Sequence, residues 1–287
     1  RARVEETIRT ISPKRQKRTG FCRCFFLLLP FLKSMELITV TVASFLAGFV
    51  DAIVGGGGLI LVPAMFAVFP TAHPATLFGV NKSASMWGTA AAAWQYAHRV
   101  RMPWRSLLPA LLLAVMGSFL GAWAVTQVSP DGFRKALPFV LLAVFVYTLA
   151  KKDMGRDHAP RLSARQERVV MGLLGFVIGG YDGFFGPGTG SFFIFAMVRF
   201  LGFDFLHASA SAKLLNLASN MAALVLFIAT GHIWWHLVIF IAIANVAGSL
   251  IGTRLALRHG SGFVRIAFML VVAALIAKTA WDAYVSG

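Results

Sequence analysis

Lys82 and Lys213 stand where a lysine is costly, about two turns inside long apolar segments. A buried ammonium must find an anion or lose its proton. Asn81, Ser83, Ser211, Asn216 and Asn220 lie close by in sequence, and all can hydrogen-bond. Lys213, Asn216 and Asn220 follow at spacings of three and four, which places them on one helical face. Glycine interrupts the neighbouring apolar segments at residues 55–58 and again at Gly186-Pro187-Gly188-Thr189-Gly190. Such a break frees backbone N–H groups at the start of the next helix, where the helix dipole favours an anion. Ammonium, carboxamides and helix N-termini together suit a small oxyanion. The expected substrate contacts are therefore Lys82, Lys213, Asn81, Asn216, Asn220, Gly55, Gly57, Gly186, Gly188 and Thr189.

Each of these residues also has a plainer use. The lysines can snorkel to headgroups, or be neutralised for structure alone by Asp51 and Asp182, and the glycines can serve close helix packing. Asp51 and Asp182 each precede the first glycine of a break by four residues. They can pair with the lysines, carry a coupling proton or cap the next half-helix. His207, at the entrance to the segment bearing Lys213, is the strongest functional candidate among the seven histidines. His232 and His236 have helical spacing for a metal, but no carboxylate or cysteine completes a set, so neither a metal nor a cofactor is expected. Neither glycine run is a nucleotide loop, because no Gly-Lys-Ser/Thr follows.

The elements that must position these groups come in pairs. Asp51-Ala-Ile-Val-Gly55-Gly-Gly57 recurs as Asp182-Gly-Phe-Phe-Gly186-Pro-Gly188, 131 residues later. The same offset matches Gly48 with Gly179, Lys82 with Lys213, Trp104 with Trp235 and Arg134 with Arg265. Gly117-Ser118-Phe-Leu-Gly121 likewise matches Gly248-Ser249-Leu-Ile-Gly252, small-residue stripes of the kind that pack helices closely. Two copies of one unit, with broken helices at matching positions, are the architecture of many transporters.

The composition is that of a polytopic membrane protein: 58% hydrophobic and 13% charged over 287 residues. The apolar runs are continuous rather than alternating, so the fold class is all-α and integral to the membrane, with about eight to ten transmembrane segments. The formal charge of +16 does not indicate nucleic acid, because the basic residues cluster between apolar runs as loop anchors do. Cys22 and Cys24 support no disulfide framework. Trp104, Trp234, Trp235, Trp281, Tyr147 and Tyr284 fall near segment ends, as an aromatic belt.

Residues 1–34 read as a basic tail outside the fold, with Met35 a better start before a clean apolar run. The first repeat spans 36–150, a cytoplasmic linker 151–166, and the second repeat 167–284. The expected segments are 36–54, 58–69, 75–97, 105–127 and 134–150, then 167–183, 189–202, 206–229, 233–253 and 262–282. If each broken pair makes two passes, the halves are inverted; if one pass, they are parallel. On the inverted arrangement the inner loops hold Arg99, Arg101, Arg105, the basic cluster of 151–168, Arg199, Arg254, Arg258 and Arg265. Only Arg134 and Lys135 then face outward. The positive-inside bias favours that arrangement, provided the basic tail is set apart; counting the tail reverses the balance.

At these residues the chain resembles the sulfite exporter TauE/SafE family of small anion permeases. The resemblance is carried by Gly183-Phe-Phe-Gly-Pro-Gly-Thr-Gly190, by Ala210-Ser-Ala-Lys213-Leu-Leu-Asn216-Leu-Ala-Ser-Asn220 and by Gly248-Ser-Leu-Ile-Gly252. The first copy adds residues 51–58 and Asn81-Lys82. It implies secondary transport of sulfur-containing oxyanions or organosulfonates, such as sulfite or sulfoacetate, across a bacterial inner membrane. The expected function is a permease working by alternating access, and the alternative is a non-transporting membrane scaffold or subunit. No enzyme is expected, since no nucleophile–base pair or metal cluster stands out. The expected partners are a small anion, the bilayer, a coupling proton or cation and further copies of the chain.

Overall fold

A computed structural model of the chain describes residues 20–128 and 162–285, with side-chain surroundings for 35–128, 162–260, Phe263 and Ile266. The expected segment 134–150, its Arg134 and Lys135, and most of the linker lie outside the described residues. Two compact units divide the chain, residues 1–38 and residues 39–287, and the contacts reported below all lie within the second.

All regular structure among the described residues is helical. Helix α1 (Gly20–Val54) is followed by α2 (Gly58–Val68), α3 (Pro74–Ala97) and α4 (Trp104–Thr126). The second copy supplies α5 (Ala164–Phe184), α6 (Thr189–Ala196), a π-helical turn (Met197–Leu201), α7 (Phe205–Ala229) and α8 (Trp235–Val285). α8 is two helices joined at Gly260, whose φ of 72° and ψ of −165° interrupt the regular backbone. Met35–Val54, Trp104–Thr126, Phe205–Ala229 and Trp235–Gly260 are long and apolar enough to cross a membrane, and α2 and the α6 region are shorter apolar helices. Their outward side chains are apolar too: Leu112 is 70% exposed and Ile243 66%. A surface of that kind belongs in hydrocarbon.

The local sequence explains where helices begin and end. Gly55 and Gly186, equivalent residues of the two copies, both have positive φ (78° and 90°), the left-handed cap that ends a helix. His73 and Asp204, also 131 residues apart, are the N-caps of α3 and α7. Ser163 and Gln166 form a reciprocal capping box at the start of α5.

Packing between the copies uses the small-residue stripes. A Cβ built on Gly117 or Gly121 would lie under 3.0 Å from backbone atoms at Phe176 or Gly180 on α5. One built on Gly248 or Gly252 would come as close to Phe45 or Phe49 on α1. These two sets are the same contact at the 131-residue offset, with the copies exchanged. Ser118 Oγ donates to the Ser219 carbonyl at 2.6 Å, and Ser249 Oγ donates to the Gly88 carbonyl at 2.5 Å, again the same contact exchanged. Along α4 and α5, Ala110, Ala114 and Ser118 meet Gly175, Gly179 and Gly183 in ascending order, so these two helices run in the same direction. α1 and α8 do likewise, with Ser44 on Ile241 and Gly48 against Asn245.

Candidate functional site

The two glycine breaks touch. Ser191, in the first turn of α6, donates its N–H to the Gly55 carbonyl at 3.1 Å and its hydroxyl to the Val54 carbonyl at 2.8 Å. Gly55 and Gly190 pass so closely that a Cβ on either would collide with the backbone of the other. Gly58 faces Pro187, with 3.0 Å between a built Cβ and the Pro187 Cα. Only residues without side chains allow two backbones this near, which gives the paired glycines a physical reason.

Both lysines reach this crossing, and each meets the aspartate of the other copy. Lys82 Nζ of α3 lies 2.6 Å from Asp182 Oδ2 of α5, with the side chains 1% and 2% exposed. Lys213 Nζ of α7 lies 2.8 Å from Asp51 Oδ2 of α1, and it also donates to the Asp51 carbonyl. A Cβ on Gly186 would sit 3.3 Å from Lys82 Nζ, so that ammonium rests against the second break. Asp51 Oδ1 faces the Gly57 N–H at the head of α2, at 3.4 Å. The aspartates therefore pair with the lysines, and Asp51 also leans on the next half-helix.

The cationic face expected from the sequence is thus a pair of compensated contacts. An unpaired buried ammonium would carry several kcal/mol of desolvation cost, and each carboxylate offsets it. Thr189 is buried and caps the second break by donating to the Gly186 carbonyl at 2.7 Å. Gly188 has φ of 83° and immediately precedes α6. Asn81, Asn216 and Asn220 are all buried, 5%, 6% and 4% exposed, and Asn81 Oδ1 has no hydrogen-bond partner among the described residues. His207 is elsewhere: its ring contacts Asp204 Oδ2 at 2.6 Å at the start of α7, six residues or about 9 Å along the axis from Lys213.

Several supporting residues were not expected from sequence. Tyr96 donates its hydroxyl to the Ala52 carbonyl at 3.0 Å, and Tyr181 to the Pro187 carbonyl at 2.6 Å, so phenols from the last turns of α3 and α5 tether the backbone at or beside each break. Asn245 donates to the Ser44 carbonyl at 3.1 Å and joins α8 to α1. At the ends of α3 and α7, His73 and His232 stack with ring centroids 5.0 Å apart, and Thr76 Oγ1 lies 3.1 Å from His232 Nδ1. Burial, and secondarily the neighbouring His73, holds the His232 imidazole below its ordinary range.

Apolar membrane-length helices, duplicated breaks and buried ion pairs at their crossing define a multi-pass membrane protein of the transporter class. The chain belongs to the sulfite exporter TauE/SafE family, whose model matches residues 40–279. It is 36% identical to the "Probable membrane transporter protein ORF9" of Sinorhizobium sp over 244 residues, 84% of this chain and 91% of that protein. Similarity extends to a "Probable membrane transporter protein" of Haemophilus influenzae, 34% identical over 83% of this chain and 92% of the relative. The "Probable membrane transporter protein YfcA" of Escherichia coli (strain K12) is 33% identical over 83% of this chain and 87% of its own length. No solved structure matches the chain.

Proposed function

We propose that the chain is a secondary transporter of small anions, taking sulfur-containing oxyanions or organosulfonates such as sulfite or sulfoacetate across a bacterial inner membrane. The observation that carries the proposal is the exchanged pair of ion contacts, Lys82–Asp182 and Lys213–Asp51, where the two glycine breaks touch. Contacts that exchange between two copies are those of a twofold-related pair. α3 runs with α8, because Gly79 meets His232, three residues before α8 begins, and Gly88 meets Asn245 within it. Six residues separate α3 from α4, and five separate α7 from α8. Such short links do not return the chain along helices of about 36 Å, so each pair reverses direction. The equivalent helices α3 and α7 then run oppositely, which supports inverted halves. Rocking one half against the other would alternate access to the crossing.

Lys82→Ala and Lys213→Ala are expected to abolish uptake of labelled sulfite or sulfoacetate by proteoliposomes loaded with equal amounts of folded protein. Undiminished flux in both variants removes the lysines from the mechanism. If the purified wild-type protein moves none of these anions, the scaffold alternative takes its place.

A further inference from the structure

The two lysine–aspartate pairs are equivalent in sequence and unequal in surroundings. Lys82 and Asp182 are both sealed, at 1% and 2% exposure. Lys213 is fully buried, but its partner Asp51 is 16% exposed. The polar face differs as well. Asn216 and Asn220 follow Lys213 on α7, whereas Ser85 and Thr89 stand at the same offsets on α3. The reachable carboxylate and the amide-bearing face therefore belong to the same pair.

Resting on the transport reading above, we propose that Asp51 is the proton-binding group of the site. It takes up one proton as a monoanion replaces its carboxylate on Lys213, so proton and anion move together. The Asp51 carboxylate already occupies an anion's place, between the Lys213 ammonium and the Gly57 N–H at the head of α2. An arriving anion meets that negative charge first, and protonation removes it. The new O–H bond forms on the carboxylate, Lys213 keeps its three N–H bonds and its charge, and one ion contact passes from Asp51 to the incoming oxyanion. No electrons are transferred.

The exchange is charge for charge, which fits a head group with a single negative charge, a sulfonate or bisulfite. Lys82–Asp182 remains a lock throughout. The other groups facing this stretch are that locked pair and the Tyr96 hydroxyl, bonded to the Ala52 carbonyl beside Asp51. α8 presents Gly252 there, and the turn before α2 presents the Gly57 N–H.

Purified protein titrated with methanesulfonate in weakly buffered detergent solution is expected to take up about one proton per anion bound, read with a pH indicator. Asp51→Asn is expected to bind the anion without proton uptake. In proteoliposomes an imposed pH gradient no longer drives methanesulfonate accumulation by this variant. Asp204→Asn, at a carboxylate that caps α7 away from the crossing, keeps proton uptake on binding. Wild-type binding without proton uptake overturns the proposal, as does pH-driven accumulation by Asp51→Asn or equal loss of coupling in both variants. Failure to bind either methanesulfonate or bisulfite also overturns it. Binding with proton uptake but no flux of any anion overturns the transport reading instead.

Discussion

At the scale of single residues, the crossing depends on side chains that are missing as much as on those present. Lys82 and Lys213 are among the largest fully buried side chains of the described residues, and each is balanced by one carboxylate from the other copy. Removing one member of such a pair strands a charge, whereas losing both together is often tolerated. The glycines act by a different route. Gly55 and Gly231 have nearly the same positive φ, 78° and 74°, so alanine is strained at both. They differ in space: a Cβ on Gly55 collides with Gly190 and Ser191, and one on Gly231 meets nothing within 4 Å. Gly231→Ala is expected to cost about 1–2 kcal/mol, the backbone strain alone. Gly55→Ala must also part the two breaks, so it should lower the melting temperature in detergent clearly further and impair transport. Equal melting temperatures for the two variants would mean the breaks do not touch.

At the scale of elements, equivalent helices share scaffolding and differ at their caps. His73 and Asp204 cap α3 and α7 at matching positions, but Asp204 binds His207 while His73 stacks on His232. His232 is held below its ordinary range, so the folded protein binds fewer protons there than the unfolded chain. Its contribution to stability is complete above about pH 6.5 and is lost as pH falls through and below that value. Melting measured from pH 8 to pH 5 should therefore show wild type losing ground to His232→Gln only on the acid side. A constant difference across the range would mean that the imidazole does not titrate differently on folding. Much of this element level was legible in the sequence. Continuous apolar runs set the helices, and α2, α3 and α4 begin and end within about two residues of the expected segments. The Gly-Ser-x-x-Gly stripes pack as their small residues imply. The lysines and aspartates of the crossing stood out as residue types and not as partners. Lys82 and Asp182 are 100 residues apart, and no local spacing says that pairs form across the copies rather than within them. Tyr96 and Tyr181 were missed for the same reason, since their partners are backbone carbonyls and leave no mark in a sequence pattern.

At the scale of the whole molecule, the exchanged contacts limit how the copies can be arranged. Ser118 on Ser219 and Ser249 on Gly88, Gly121 on Gly180 and Gly252 on Phe49, Lys82 on Asp182 and Lys213 on Asp51 are three separate pairs obeying one exchange rule. A head-to-tail arrangement gives one such contact without its mirror, whereas a twofold relation gives both. A twofold axis along the membrane normal leaves equivalent loops on the same side, and one lying in the membrane plane puts them on opposite sides. The loop joining α3 to α4 carries Arg101, and its equivalent joining α7 to α8 carries His232, 131 residues later. Inverted halves predict that these two loops face opposite compartments, with the Arg101 loop inside. After Cys22 and Cys24 are replaced by serine, Arg101→Cys and Gly231→Cys provide one thiol each at positions away from the ion pairs. A membrane-impermeant maleimide should label Gly231→Cys in intact right-side-out vesicles, and Arg101→Cys only once the membrane is opened. Labelling of both from the same side would make the halves parallel, and rocking of inverted repeats could not then be how the chain alternates access.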